Sequence, residues 1–405
     1  MSKVLFLGIP SHGHVNPTIG LVSELIKQGE EITYFSSEEF KEKIEKTGAT
    51  FKCYREDLNI FKMKKDSGSK EKPGTGLFGV ASRILERSDV IIGDILEQTK
   101  ETKFDYLIYS AAFPFANILA QILDIPTVSS LAVFAGLDRF FTSDNEANDN
   151  RFKMSDEFTE NYKEIIKKLN RVYSVKVPDN ILNLLFNKGD INLVYTSKYF
   201  ASDLDYFDDT FKFVGPPVYD RKENVDFPFE KLEGKKVVYI SLGTVFGGYD
   251  IEVYNIFFQS FKDMDAIIVM TAFNVDTSQF DIPDNFIVRN YVPQSEVLKY
   301  TDAAITHAGM NSISDLIYNN VPFVALPMGA DQPYLAKRAE DLGAAISLDI
   351  KSITPELLRA SIEKVLNDWT YIENIRKISD SFEKAGGYKK AVEEIYKMKK
   401  ERLIS

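Results

Sequence analysis

The stretch 3-KVLFLGIPSHGHVNPTIGLVSELIKQGEEITYF-35 contains a strand, a helix and a second strand in succession. Val4–Ile9 is a short apolar run, which is typical of a strand buried on both faces. We expect the helix to take Asn16 as its N-cap and Pro17 as its first residue, because the fixed φ of proline suits that position. Gly29 can end this helix, and Glu31–Phe35 is the second strand. This order of elements predicts a doubly wound parallel sheet.

The same alternation continues along the chain, first through Asp105–Tyr109, Phe115–Leu123 and Pro126–Ser130. It begins again in a second group of apolar runs, which are Lys236–Ser241, Ala266–Met270, Phe286–Arg289, Ala303–Thr306 and Pro322–Leu326. The sequence therefore predicts an α/β protein with two doubly wound, Rossmann-like domains facing across a cleft. Ligands of such sheets bind outside the carboxyl ends of the strands, so the function is expected at the strand-to-helix turns.

The segment Gly215–Gly234 is rich in proline and charge, which is typical of a linker. We therefore expect an N-terminal domain over residues 1–214, a linker over 215–234 and a C-terminal domain over 235–405. After Thr354 the pattern is helical to the end, and the last helix is expected to pack back on the N-terminal domain.

The composition excludes several classes of partner. The formal net charge of -11 argues against nucleic acid and anionic membrane surfaces, which attract basic patches. No apolar run approaches the ~20 residues that span a bilayer. The single cysteine, Cys53, cannot form an internal disulfide, which favours a reducing compartment. Because the first residues also lack the features of a signal peptide, we expect a cytoplasmic protein, as a monomer or weak dimer.

All three histidines fall at predicted strand-to-helix turns. His12 and His14 follow the first strand, and imidazole is the side chain best suited to accept a proton near neutral pH. Either could be a general base, and either could be an ordinary loop or capping histidine.

His307 opens the turn 307-HAGMNS-312 between a strand and a helix. Gly309 permits close backbone approach, and the free N–H groups of the helix start attract an anion. His307, Asn311 and Ser312 add side-chain donors suited to a phosphate. The turn 241-SLGT-244 can reach the same phosphates through Thr244. The His307 turn matches neither the Walker A loop nor the dinucleotide fingerprint, and the 241–244 turn alone is a weak signal because such turns are common.

The stretch Asn290–Gln332 resembles the nucleotide-sugar signature of the UDP-glycosyltransferase superfamily. It contains 291-YVPQ-294, 307-HAGMNS-312, Asp315, Pro322, Pro327 and 331-DQ-332, and 13-GHVNP-17 resembles the acceptor-side motif of that family. The whole chain is similar to the bacterial macrolide/flavonoid glycosyltransferase branch. This resemblance implies a GT-B fold, an N-terminal acceptor-binding domain, a C-terminal nucleotide-sugar-binding domain and inversion at the sugar carbon.

The resemblance also implies roles for donor-side residues. Tyr291 takes the place of the aromatic residue that stacks on uracil, where many members have Trp. Val292 and Gln294 contact the uracil edge and the ribose. Asp315 stands where the family usually has Glu gripping the ribose hydroxyls. The diphosphate is held by His307, Gly309, Asn311, Ser312 and Thr244.

Two further residues of the motif, Asp331 and Gln332, are implied to bind the sugar hydroxyls, and this pair favours glucose-like donors. The His307 turn and helix start stabilise the charge that develops on the leaving diphosphate, so no metal or other cofactor is expected.

On the acceptor side, His14 matches the family's catalytic base. The family usually orients this histidine with an aspartate, and Ser110 stands at that place here. Serine offers at most a neutral hydrogen bond. Three explanations compete: an active enzyme with a weaker dyad or a substitute carboxylate, an engineered variant, and a binding protein that has lost catalysis.

Aromatic residues near turns of the first domain are candidates for an apolar acceptor pocket, with core packing as the competing interpretation for each. They include Phe78, Phe113 and Phe134.

The leading hypothesis is an inverting transferase that moves glucose from UDP-glucose to a hydroxyl of a small hydrophobic acceptor, such as a flavonoid or macrolide. The alternative is a catalytically silent protein that binds UDP-sugar or a hydrophobic ligand. A sugar epimerase or a membrane-associated lipid glycosyltransferase is a third interpretation, disfavoured because no basic cluster adjoins an apolar surface helix.

Overall fold

The computed structural model describes residues 1–55, 84–132, 156–202, 204–218, 225–243, 251–329 and 331–402. These residues divide into two units, each built around its own sheet. The N-terminal unit is Met1–Tyr195, Asp205–Val214 and Tyr388–Ser405, and the C-terminal unit is Thr196–Leu204 and Gly215–Gly387.

The N-terminal unit contains a seven-stranded parallel sheet. Its strands are β1 (Lys3–Leu7), β2 (Glu31–Ser36), β3 (Thr50–Cys53), β4 (Tyr106–Ser110), β5 (Thr127–Leu131), β6 (Ile191–Val194) and β7 (Phe211–Phe213). The spatial order is β3-β2-β1-β4-β5-β6-β7. The order reverses between β1 and β4, which makes that pair the topological switch point of the sheet.

Helices cover both faces of this sheet. They are α1 (His12–Lys27), α2 (Lys41–Glu45), α3 (Ser88–Thr99), α4 (Ala116–Leu123), α5 (Asp156–Tyr173) and α6 (Leu182–Leu185), and 3₁₀ turns lie at Glu38–Phe40 and Leu204–Tyr206. Both faces of β1 are buried: Val4 and Phe6 pack on one side, and Leu5 and Leu7 on the other. The continuous apolar run thus forms a strand between two layers of helices, as predicted.

The start of α1 corrects one prediction. The helix begins at His12 with Ser11 as N-cap in an extended conformation, so Asn16 is not the cap and Pro17 lies inside the helix. His14 donates its backbone N–H to the Ser11 carbonyl and lies in the first helical turn rather than in a loop. The predicted start was wrong because proline at the first helical position is only a preference, and Pro17 is accommodated inside α1.

The C-terminal unit contains a six-stranded parallel sheet. Its strands are β8 (Val237–Ser241), β9 (Ile267–Thr271), β10 (Phe286–Arg289), β11 (Ala303–Thr306), β12 (Phe323–Ala325) and β13 (Ala345–Ser347). They lie in the order β10-β9-β8-β11-β12-β13. The switch point is therefore between β8 and β11. The predicted second alternation of strands and helices is confirmed.

Helices of the C-terminal unit are α7 (Ile251–Phe261), α8 (Gln294–Val297), α9 (Met310–Tyr318), α10 (Gln332–Asp341), α11 (Pro355–Asn367) and α12 (Trp369–Ala385). Shorter 3₁₀ turns lie at Phe229–Lys231, Thr277–Gln279 and Leu298–Tyr300. The Thr354 hydroxyl accepts a hydrogen bond from the Leu357 amide and caps α11, where the helical pattern of the sequence begins.

The last helix, α13 (Gly387–Arg402), belongs to the N-terminal unit. Ala391, Val392 and Ile395 are buried in the same cluster as Val4 and Phe6. The Lys399 ammonium lies 2.7 Å from the buried Glu30 carboxylate, which fixes the far end of the helix. Across the described residues, no helix is long and apolar enough to cross a membrane.

Candidate active site

His14 and Ser110 lie together at the switch point of the N-terminal sheet. The chain leaves β1 and enters α1, whose first turn carries His14, while Ser110 is the last residue of the adjacent β4. His14 Nδ1 lies 2.8 Å from Ser110 Oγ. A pair that is 96 residues apart in sequence is therefore joined by the strand order of the sheet.

The environment of His14 favours a neutral ring. Burial lowers the pKa of His14 to about 4. His14 as a residue is half-buried, while Ser110 is buried. Among the described residues, no carboxylate contacts the ring, so no substitute for the family's aspartate is found there.

His12 has a different environment from His14. Its side chain is exposed, with Nε2 3.5 Å from Glu39 Oε1 and its ring edge-on to Phe40 at 5.1 Å between centroids. Burial and then the Lys43 ammonium lower the pKa of His12, whereas Glu39 raises it. The structure thus pairs His12, not His14, with a carboxylate.

The switch point of the C-terminal sheet holds His307 between two glycine backbones. His307 follows β11, and Gly243 follows the adjacent β8. A Cβ built on Gly243 would lie 2.6 Å from His307 Cε1, and one on Gly309 would lie 2.5 Å from Nε2. The ring therefore fits only because both positions lack a side chain.

This slot leaves one nitrogen of the imidazole, Nδ1, without a hydrogen-bond partner among the described residues. His307 Nδ1 is buried and, in the described part of the chain, has no hydrogen-bond partner. Burial lowers the pKa of His307 to about 4. The next residue, Ala308, has a left-handed φ of 64°, an uncommon conformation outside glycine that is found at functional turns.

The predicted anion-binding residues lie at the start of α9. Gly309 is the N-cap without a side-chain cap, and Asn311 and Ser312 are partly exposed in the first turn. The backbone N–H groups of a helix start are suited to an anion. Thr244, the other predicted member of this group, lies outside the described residues.

A hydrogen-bonded chain links Gln294 and Asp315. Gln294 Nε2 donates to Asp315 Oδ2 at 2.7 Å. On its other side, Gln294 Oε1 accepts from the Tyr239 hydroxyl at 3.3 Å, and Tyr239 Oη lies 3.2 Å from Thr271 Oγ1. The sequence did not point to either Tyr239, which lies inside β8, or Thr271, which ends β9, because neither belongs to a recognisable motif.

The remaining predicted donor residues are spread around these turns. Tyr291 is 44% exposed, which leaves ring surface for stacking, whereas Val292 is buried and can offer only its backbone. Asp331 is the N-cap residue of α10 and is buried. Gln332 is also buried, and its Oε1 accepts the backbone N–H of Met328 at 2.9 Å.

Of the three predicted acceptor-pocket residues, only Phe113 is described; Phe78 and Phe134 lie outside the described residues. Phe113 has no exposed surface, and its ring is parallel to that of Tyr54 at 5.8 Å between centroids. In this structure it is a core residue and offers no surface to an acceptor. Within the described ranges, no group of three metal-ligating side chains could hold an ion.

Comparison with known proteins decides the family. A model of the UDP-glucoronosyl and UDP-glucosyl transferase family matches residues 229–384. An uncharacterised UDP-glucosyltransferase of Bacillus subtilis (strain 168), YojK, is 32% identical over 407 residues, with 100% of this chain and 99% of that protein covered. The chain belongs to the UDP-glycosyltransferase family. It is a glycosyltransferase of the UDP-glucosyltransferase type, which confirms the predicted enzyme class.

Further similarities support the fold of this glycosyltransferase. A second uncharacterised UDP-glucosyltransferase of Bacillus subtilis (strain 168), YdhE, is 32% identical, with 98% of each protein covered. The solved structure of the glycotransferase of kitacinnamycin has a TM-score of 0.79 at 22% identity, covering 98% of each chain. The glycosyltransferase therefore has the GT-B fold, as predicted.

Proposed function

We propose that this glycosyltransferase moves a hexose, with glucose as the expected sugar, from a UDP-sugar to a hydroxyl group of a small hydrophobic acceptor such as a flavonoid or macrolide. The observation that carries this proposal is the presence of an unpartnered imidazole nitrogen at the switch point of each sheet. His14 Nε2 has no hydrogen bond among the described residues, and neither has His307 Nδ1. Open α/β sheets bind their ligands at such points.

The donor half of the proposal rests on the C-terminal unit. The His307 ring, the start of α9 and the Gln294–Asp315 pair present hydrogen-bond donors and acceptors suited to diphosphate and ribose. Asp315 is shorter than glutamate, and its Oδ2 is already bonded to Gln294. We assign the ribose to this pair jointly. Tyr291 is assigned to the uracil ring, and Asp331 and Gln332 to the sugar.

The acceptor half rests on His14, which we assign as the group that meets the attacking oxygen. In the general-base role that the resemblance implies, Nε2 takes the acceptor proton while the oxygen attacks the sugar carbon and UDP leaves. The leaving diphosphate gains charge, which the neutral donors around His307 stabilise.

Incubation with UDP-glucose and a panel of acceptors, followed by mass spectrometry, tests the proposal through a hexose mass increment. His14→Ala should abolish transfer to neutral acceptors and leave UDP affinity nearly unchanged. His12→Ala is the matched control, because His12 is exposed and pairs with Glu39 rather than with Ser110. Equal loss of transfer in both variants would contradict the role of His14.

A second candidate, a silent protein that binds UDP-sugar, is favoured by one observation: the partner of His14 is a neutral hydroxyl rather than a carboxylate. Calorimetry would then detect UDP binding, while no acceptor or donor gives a product. Ready turnover by the wild-type protein eliminates this candidate.

A further inference from the structure

Ser110 Oγ and His14 Nδ1 share one hydrogen bond, and its direction decides which nitrogen of the imidazole carries the proton. The two atoms lie 2.8 Å apart. A neutral imidazole has one N–H and one lone pair, and a serine hydroxyl has one hydrogen. Either Nδ1–H donates to Oγ, or the hydroxyl donates to Nδ1. The first arrangement leaves Nε2 free to accept a proton, and the second places the proton on Nε2.

Burial favours the second arrangement. Ser110 is only 1% exposed, and within the described ranges Oγ has no hydrogen-bond partner other than His14. If Nδ1–H were the donor, the Oγ hydrogen would be buried without an acceptor, which is costly. When the hydroxyl donates instead, its hydrogen is satisfied, and Nε2–H belongs to a residue that is only half-buried.

This tautomer has a chemical consequence. An imidazole with its proton on Nε2 cannot remove a proton from an acceptor at that nitrogen. It can donate a hydrogen bond to an oxygen that is already anionic, and such charge-assisted bonds are strong. In a serine protease, a neutral amide in place of the buried aspartate produces the wrong tautomer and lowers kcat by roughly 10⁴-fold.

We propose that Ser110 makes this transferase favour acceptors whose attacking group is already ionised near neutral pH, such as acidic phenols and carboxylic acids, over neutral hydroxyl groups, to which transfer is slow. This inference rests on the proposed function. Ser110 acts as a positioning residue that holds the proton on His14 Nε2, and Nε2–H binds the acceptor anion.

The step then balances without a base. The acceptor oxygen forms a bond to the anomeric carbon, and the bond from that carbon to the diphosphate oxygen breaks. UDP leaves with the electron pair, while the acceptor proton has already passed to solvent. A neutral acceptor can react only with the less favoured tautomer, in which Nδ1 carries the proton and the Ser110 hydroxyl hydrogen has no acceptor. Transfer to such an acceptor is therefore slow.

The test measures kcat/KM with UDP-glucose at one pH for substituted phenols of graded acidity and one aliphatic alcohol. For the wild-type protein we expect a loss of about 100-fold from 4-nitrophenol to phenol, following the ionised fraction of the acceptor. Ser110→Asp should flatten this dependence to about tenfold or less, because aspartate requires Nδ1–H and frees Nε2. An equally flat dependence in the wild-type protein would overturn the inference.

Two further variants keep the test decisive if a buried aspartate impairs folding. Ser110→Ala removes the hydroxyl that selects the tautomer, so transfer to phenol should rise relative to 4-nitrophenol. Ser130→Ala is the matched control: Ser130 is also buried, pairs with Ser110 in register, and bonds Tyr195 instead of His14. It should keep the steep dependence of the wild-type protein.

Nitrogen-15 NMR reads the tautomer directly, because the chain has only three histidines and His14→Gln assigns the signals. We expect a protonated Nε2 and an accepting Nδ1 in His14. A protonated Nδ1 in the wild-type protein would refute the inference even if transfer is observed. If no acceptor gives a product with the wild-type protein or any variant, the proposed function itself is contradicted.

Discussion

Gly243 lies so close to the imidazole of His307 that any side chain at position 243 would overlap the ring, with Cβ 2.6 Å from Cε1 and 2.7 Å from Nε2. Gly243 also has a left-handed φ of +77°. The turn after β8 thus forms one wall of the slot that orients His307 after β11. The sequence of this turn, 241-SLGT-244, is only weak evidence for a phosphate site, because short turns containing Ser, Gly and Thr are common.

Gly243→Ala should displace the His307 ring and weaken UDP binding by roughly tenfold or more, since the ring can no longer reach the proposed phosphate. Calorimetric titration with UDP measures the change. Gly234→Ala is the control: it has a left-handed φ of +66° but no atom within 4 Å of its Cβ. It should lose about 1 kcal/mol of stability without losing UDP affinity. Equal UDP affinities of Gly243→Ala and Gly234→Ala would contradict the proposal that Gly243 positions His307 for UDP binding.

The affinity for UDP-glucose should rise as the pH falls from 7 to 5. Burial lowers the pKa of His307 to about 4 in the free protein, and an adjacent diphosphate raises the pKa of an imidazole. Binding therefore takes up a proton over this range. UDP-glucose is the ligand of choice, because its diphosphate is a diester without an ionisation of its own near pH 6. His307→Gln should abolish the trend, and a wild-type affinity independent of pH would contradict it.

Folding stability should show the opposite dependence on pH. The pKa of His307 lies near 4 in the folded protein and near 6.5 when unfolded, so the unfolded chain binds the proton first. The contribution of neutral His307 to the free energy of unfolding is complete above pH 6.5 and is lost as the pH falls toward 4. Thermal melts of the wild-type protein and His307→Gln should therefore converge over this window. A constant difference between the two melting temperatures would rule this out.

Tyr239→Phe should raise KM for UDP-glucose a few-fold and leave kcat nearly unchanged. The Tyr239 hydroxyl holds Gln294 Oε1, which keeps Nε2 directed at Asp315 Oδ2. Without that bond the amide can rotate away from the proposed ribose site, at a cost of about 1 kcal/mol. Steady-state kinetics measure both constants.

Tyr254→Phe is the control for this variant, since Tyr254 is also a buried tyrosine of the C-terminal unit but packs in the apolar core. It should leave KM unchanged. A fall in kcat with Tyr239→Phe, at constant KM, would contradict the positioning role.

Periodicity predicted most strands of the two sheets, because buried parallel strands require apolar runs such as Ala303–Thr306. It did not identify the short strands β6, β7 and β13. The start of α1 was predicted wrongly. Proline at the first helical position is only a preference, and Ser11, an equally suitable N-cap, is the residue that begins the helix. Motif spacing singled out His14, Ser110 and His307. His14 lies in the first turn of α1, Ser110 ends β4, and His307 follows β11.

Contacts between residues that are far apart in the sequence could not be predicted from local sequence patterns. Nothing in the local pattern of Tyr239 distinguishes it from other strand tyrosines, and its bond to Gln294 depends on the neighbouring elements. The burial of Phe113 depends in the same way on Tyr54, which is distant in sequence and whose ring stacks on it. The absence of a carboxylate beside His14 is likewise a property of the described structure and not of any motif.

The placement of α13 determines the order in which the two units can be completed on the ribosome. β1 is synthesised before the strands of the C-terminal unit, whereas Ala391, Val392 and Ile395, which belong to the cluster around β1, are synthesised after them. The C-terminal unit ends at Gly387 and has all of its strands before then. The nascent N-terminal unit therefore keeps part of its apolar cluster uncovered until the strands of the C-terminal unit have been made.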